Sequence, residues 1–319
     1  MIAAAVLTLY AVAAAVGLPA LGRRVASRAD RAPRLAIVVW LAAAGSVVAS
    51  AVLAALAFAV PADVVAHGLA GLFEICADML IHGSALTWAG VAALLVAGAV
   101  PARLLWCGVA VLARTGRERR EHAALLGLLG RRDRDLDAIV LDYEERVAYC
   151  LPGRHAETVI TTGALRSLSR AQVAAVLAHE QAHLRGRHHL AVAAAHALTR
   201  AFPRVPVFEA ARVEIARLIE LRADDVAARR HPRVQIAAAL VGLATGRAPA
   251  FALGAGGATA LVRVRRMLNP ERPLRRTERL VGLLAVGALL GGPALVALVP
   301  GIASFLAHHC HSVLDSFFA

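Results

Sequence analysis

The chain has 319 residues, is 59% hydrophobic and carries a formal charge of +13, with a mean hydropathy of +0.64. All 35 basic residues are arginine, which excludes a phosphate-loop lysine, a pyridoxal Schiff base and a lysine general base. The apolar share exceeds the ~45–50% usual for soluble domains, which argues against a plain soluble enzyme. Four cysteines in this length do not make a disulfide framework.

Taken in chain order, residues 2–21, 35–60, 86–102 and 281–307 are uncharged and apolar. Each is near or above the ~17–20 residues that cross ~30 Å of hydrocarbon as a helix. The first lacks the basic opening of a signal peptide and is read as retained. Between the first two, Arg23, Arg24, Arg28, Arg31 and Arg34 stand against Asp30 alone. Residues 61–85 hold Asp63, Glu74 and Asp78 and no arginine, whereas Arg114, Arg117, Arg119 and Arg120 follow the third stretch. Basic loops stay cytoplasmic, so the expected N-terminus lies outside, 114–280 inside and the C-terminus outside. Arg103 is placed near the inner interface, because mid-bilayer arginine costs ~2.5–3.5 kcal/mol. Residues 104–113 then continue the helix out of the membrane.

The division expected is three transmembrane helices in 1–113, a cytoplasmic α+β domain in 114–280, and a fourth span with a short outer tail in 281–319. The middle part holds 29 of the arginines against 17 acids. No recognition helix or aromatic-laced basic patch accompanies them, so no direct nucleic-acid partner is expected. The charge fits inside-positive topology and attraction to anionic lipid headgroups, which makes the bilayer a partner.

Within 114–280, Leu136–Leu141, Val147–Leu151 and Thr158–Thr162 read as short strands, with a turn at 142–145. Ser169 with Gln172 forms a capping box that opens a helix through Leu184. Pro203 and Pro206 interrupt the chain, a second helix spans about Val207 to Arg230, and His231-Pro232 stops it. Residues 253–260 read as a Gly/Ala-rich loop.

The first of these helices carries His179-Glu180-Gln181-Ala182-His183. An i,i+4 pair of imidazoles on one helix face can grip one Zn²⁺ at ~2.0–2.1 Å, with the intervening glutamate as general base. Two residues are candidates for the third ligand. His189, with Gly186, completes the metzincin spacing. Glu220 lies on the second helix, with Asp224 one turn on to hold a ligand histidine. The metzincin pattern also needs a methionine turn, and the only methionine downstream is Met267 in an arginine-rich, helix-like run. That context favours Glu220 and leaves His188 and His189 as polar residues ending the active-site helix. His231 and Arg222 are candidate oxyanion donors.

Here the sequence resembles the BlaR/MecR-type integral-membrane zinc metallopeptidases, and more distantly the HtpX and CAAX-protease group. The resemblance rests on Ala148-Tyr149-Cys150-Leu151-Pro152-Gly153, Val159-Ile160-Thr161-Thr162-Gly163-Ala164-Leu165, Leu168-Ser169, Val176-Leu177-Ala178 leading into the motif, and Glu220-Leu221-Arg222-Ala223-Asp224. It implies a zincin-like fold held by four spans in a bacterial plasma membrane. It also implies His179, His183 and Glu220 as zinc ligands, Glu180 as catalytic base, and Asp224 orienting His179. The strand Val159, Ile160, Thr161 and Thr162 is expected to be the edge to which substrate adds. The substrate implied is a protein, of the BlaI/MecI repressor type in signalling. Only residues 308–319 follow the last apolar run, so no counterpart of the extracellular penicillin-binding domain of the antibiotic-sensing members, and no acylation site, is expected.

Three other readings accompany this one: a membrane quality-control protease, a catalytically inactive scaffold, and a metal or redox sensor. The last would use the tail His308-His309-Cys310-His311 with His67 or His82, or a Cys76–Cys310 disulfide across the outer face.

Overall fold

The computed structural model describes residues 1–59, 87–153, 156–244, 257–269 and 272–318. Cys76, His67 and His82 lie outside them, as do the acidic 61–85 segment, residues 253–256 and the side chains of the histidine-cysteine tail; residues 257–260, expected as loop, instead open a helix.

Helix α1 (Ile2–Arg24) and α3 (Pro33–Ala59) are joined through the short α2 (Ala26–Arg31). Helix α4 (Trp88–Leu129) runs for 42 residues. At 1.5 Å per residue that is about 63 Å, roughly twice the hydrocarbon thickness. The continuation expected past Arg103 is therefore unbroken, carrying the chain from the apolar region to the sheet. Arg103 donates to the carbonyl of Ala201 at 2.6 Å, near the negative end of a neighbouring helix.

Four strands follow: β1 (Gly130–Asp133), β2 (Ala138–Leu141), β3 (Ala148–Leu151) and β4 (Glu157–Thr161). Their order is β1-β2-β4-β3. Strands β2 and β4 are parallel, and the outer pairings are antiparallel. This corrects one expectation. Val159, Ile160 and Thr161 lie in β4, which is paired on both sides, while Thr162 already opens the next helix. The edge beside the motif helix is β3. Thr161 N–H bonds to the Val147 carbonyl, so by antiparallel alternation the peptide groups of Ala148 and Cys150 face the open edge.

The α5 turn (Thr162–Ser167) leads into α6 (Arg170–Arg185), the motif helix, opened by the Ser169–Gln172 capping box with both reciprocal bonds made. The chain then breaks at Gly186-Arg187, with Arg187 at φ 48°, and α7 (His188–Ala201) begins. His188 and His189 therefore start a new helix and do not finish the old one. Helix α8 (Pro206–Ala227) carries Pro206 in its first turn, where a missing N–H costs nothing. Helices α9 (Arg233–Leu243), α10 (Gly257–Leu268) and α11 (Arg276–Phe318) complete the described chain. Helices α1, α3, α4 and the Arg276–Val299 part of α11 are long and apolar enough to cross a membrane.

The sheet is filled on both faces. Leu126 of α4 packs with Ile139, Tyr149, Leu151 and Val159 on one side. Val140, Ile160, Val173, Val176 and Leu177 bring α6 onto the other. The largest core joins the two halves of the molecule: Val207, Phe208, Ala211, Ile215 and Ile219 of α8 pack with Ala14 of α1 and Trp40, Ala44 and Val47 of α3. Each such Ile or Phe contributes about 1.5–3 kcal/mol on burial. Arg217–Asp30 at 2.7 Å and Arg266–Asp225 at 2.8 Å tie the same helix to α2 and α10. Helix α8 is thus fixed against the apolar spans over its first half and free to present side chains from its second.

The capping box holds the first turn of α6, whose inner face carries the motif. Ser169→Ala removes the acceptor for the Gln172 amide and should cost ~1 kcal/mol, read as a lowered midpoint in thermal unfolding with the fold otherwise intact.

Candidate metal centre

Helix α6 buries one face, and the motif falls on it: His179, Glu180 and His183 are all buried. Apolar Val173, Val176 and Leu177 on the preceding turns seat that face against the sheet. Glu220 and Asp224, four residues apart, share one face of α8, where Asp224 is fully buried and Glu220 is 8% exposed. The packing of α8 on α1 and α3 aims both at α6.

The structure brings these side chains together. His179 Nδ1 donates to Asp224 Oδ1 at 2.9 Å, so Nε2 is the nitrogen that would be given up to a cation in place of its own proton. That Nε2 is 3.1 Å from His183 Nε2 and 3.4 Å from Glu220 Oε2, and His183 Nε2 is 3.6 Å from Glu220 Oε1. Donors ~2.0–2.1 Å from a tetrahedral zinc ion stand about 3.3 Å apart, so the three distances bracket the required edge. His179, His183 and Glu220 thus form a group that could hold a metal ion, all their donor atoms lying within 4.8 Å. The neighbouring Glu180 Oε2 is buried without a hydrogen-bond partner among the described residues. Two imidazoles, a carboxylate and an unpartnered glutamate oxygen fit a zinc site of the hydrolytic type.

Three groups at this site escaped sequence reasoning. Arg263 of α10 is 2% exposed. It bonds Asp224 through Nε at 2.8 Å and Nη2 at 2.7 Å, and reaches Glu220 Oε2 through Nη1 at 2.9 Å. It hides in an arginine-rich run, yet Ala260, Arg263 and Met267 recur at helical spacing and are buried. Cys150 on β3 lies beside Glu180, and burial pushes its thiol well above the ordinary range. His188 stands against His183, Nδ1 to Nδ1, at 3.1 Å.

Other expected residues lie elsewhere. His189 lines a separate cavity with Arg119, Arg120 and Arg187, so it does not join the donor group. Its Nδ1 is buried without a partner among the described residues. Arg222 lines a cavity with Arg31, Arg34 and Arg279, away from Glu180, because it sits on a different face of α8 from Glu220. His231 does not line the cavity at Glu180 either. Among the described residues the arginines that do are Arg146 and Arg263, and Arg263 is committed to the two carboxylates. The apolar walls there are Val147, Ala148, Val176, Ile236, Leu240 and Leu243.

Burial and pairing sort the protonation states. Burial raises Glu180 to about 7. Burial lowers His183 to about 3 and His188 to about 4. For His179 burial favours the neutral ring, but hydrogen bonds to Asp224 and Glu220 carry it up to about 9. Glu220 is likewise penalised by burial, yet His179, His183 and Arg263 bring it down to about 2.

The metal-free chain should therefore lose stability on acidification. Below pH 6.5, the ordinary histidine value, the unfolded chain takes up protons that folded His183 and His188 refuse until about 3 and 4. Glu180, raised to about 7, binds its proton earlier when folded and opposes part of this slope. Thermal midpoints of metal-stripped protein should fall steadily from pH 6.5 to pH 4; midpoints that stay level would contradict the assignment.

Residues 114–213 match peptidase family M48. No curated protein and no solved structure matches the chain. The matched stretch covers the sheet, α6 with its histidines and the start of α8, and ends before Glu220. Peptidases of this family are generally zinc-dependent. The match supports a metallopeptidase of the M48 kind, in a mostly helical chain with four helices fit to span a membrane.

Proposed function

We propose that the protein is a membrane-held zinc endopeptidase that cleaves a cytoplasmic or membrane-proximal protein in signalling. The observation that carries the reading is the convergence of His179, His183 and Glu220 beside the unpartnered Glu180 oxygen. The M48 match supports it independently. The arginine-rich 22–34 and 114–120 segments support a cytoplasmic face for the site in a bacterial plasma membrane. A repressor of the BlaI/MecI type is the substrate class that the sequence resemblance favours.

In this reading His179, His183 and Glu220 hold zinc, which supplies Lewis-acid polarisation of a scissile carbonyl and a water more acidic than bulk. Glu180, whose buried Oε2 has no partner among the described residues, would be the group that holds a proton and relays it to the leaving amine. Asp224 holds His179 in the tautomer that offers Nε2, and Arg263 balances the charge of Asp224 and Glu220. The open edge of β3 receives the substrate backbone through Ala148 and Cys150.

Two separate cavities reach β3 at its two ends. The one at Val147 and Ala148 is walled by the apolar residues of α9, and the one at Leu151, Pro152 and Gly153 by Arg119, Arg120 and Arg187. A substrate with an apolar side chain on one side of the cut and an acidic one on the other fits this charge pattern.

Comparative N-terminal proteomics of cells carrying the wild type and Glu180→Gln tests the proposal. One or two proteins should be cleaved only with the wild type, and the purified variant should keep its zinc while losing about 10²–10⁴-fold in rate. Dozens of substrates would replace signalling by quality control, and identical profiles would make the chain an inactive scaffold.

A further inference from the structure

The two ring nitrogens of His183 serve different neighbours. Nε2 faces the donor group, 3.1 Å from His179 Nε2 and 3.6 Å from Glu220 Oε1. Nδ1 faces Nδ1 of His188 at 3.1 Å. The rings stand edge to face, with centroids 4.9 Å apart and planes at 88°. Both are buried, at 1% and 8% exposure. Among the described residues His188 is the one hydrogen-bond partner of His183 Nδ1.

We propose that His188 is a positioning residue for His183, accepting its Nδ1–H so that Nε2 is held in the lone-pair form and aimed at the metal. The inference rests on reading His183 as a ligand. At 3.1 Å one of the two Nδ1 atoms carries the proton and the other accepts it. An imidazole that offers Nε2 to a cation keeps its proton on Nδ1, so His183 donates and His188 accepts, with the His188 proton on Nε2.

The local chain is built to deliver this ring. Helix α6 ends at Arg185, and the left-handed Arg187 turns the backbone so that α7 opens on His188. The His188 ring folds back over Gly186, where a Cβ would overlap its Nε2. The glycine that the metzincin spacing assigns to a turn before His189 instead leaves room for the ring before it. His189 goes to the arginine-lined cavity, so the two adjacent histidines part company.

The two ligand histidines are thus supported unequally. His179 leans on a carboxylate, Asp224, at 2.9 Å. His183 leans on a neutral imidazole. Glu220 and Asp224 already share one arginine, and a third anion behind His183 would add buried negative charge without a partner. An uncharged acceptor fixes the ring while adding none.

The test is zinc affinity of the full chain in detergent micelles, by competition with a chromogenic chelator. His188→Phe keeps a ring and removes the acceptor; His188→Asn restores an acceptor oxygen near the Nδ1 position. The Phe variant should bind zinc about 10–100-fold more weakly, and the Asn variant within about threefold of wild type. Gly186→Ala, which displaces the ring without deleting it, should weaken binding in the same direction as Phe, and it decides the matter if the Phe variant does not fold. Equal affinities in all forms, or equal losses for Phe and Asn, would overturn the proposal. A wild-type chain that binds no zinc would overturn the functional reading itself, and this inference with it.

Discussion

Three carboxylates, Glu180, Glu220 and Asp224, are buried at one site, and an uncompensated buried charge costs several kcal/mol. The rest of the site is arranged around that cost. Arg263 bonds Asp224 twice and reaches Glu220. His179 bridges the same two acids. For Glu180 burial outweighs the pull of His179 and Arg263, and the metal-free carboxyl moves up to about 7. One carboxylate is thereby poised to exchange protons at neutral pH while the other two remain anionic.

Holding such a cluster requires that α6, α8 and α10 keep their places, and each is anchored by different physics. Helix α6 is seated by Val173, Val176 and Leu177 against the sheet. Helix α8 is wedged by Val207, Phe208, Ile215 and Ile219 against two of the apolar spans. Helix α10 is attached to it by Arg263 and by Arg266, which pairs with Asp225 at 2.8 Å. The membrane-type helices are therefore more than a tether, because they form part of the wall that positions Glu220. Trp40 and Val47 pack in one core with the helix that carries Glu220.

What could be read in the sequence follows from how local each signal is. The four apolar runs, the capping box at Ser169 and the i,i+4 histidines are short-range patterns, and the corresponding elements are where those patterns place them. Strand order is not local. The β-branched run at Val159 to Thr162 looks like any strand, and only its pairing with both β2 and β3 removes it from the edge. Strand β1 is Gly130-Arg131-Arg132-Asp133, a polar edge sequence with no periodic signal. Arg263 was masked by its arginine-rich surroundings. His188 was masked because a left-handed backbone at Arg187, a non-glycine residue, has no signature in sequence.

The central claim is that two imidazoles and one carboxylate form a single zinc site. Zinc K-edge X-ray absorption on the purified full chain measures the ligand atoms directly. The account predicts a shell of nitrogen and oxygen at ~2.0–2.1 Å with imidazole multiple scattering from two rings. A sulfur shell at ~2.3 Å, which would place Cys150 on the metal, or an all-oxygen shell without imidazole scattering, would contradict it.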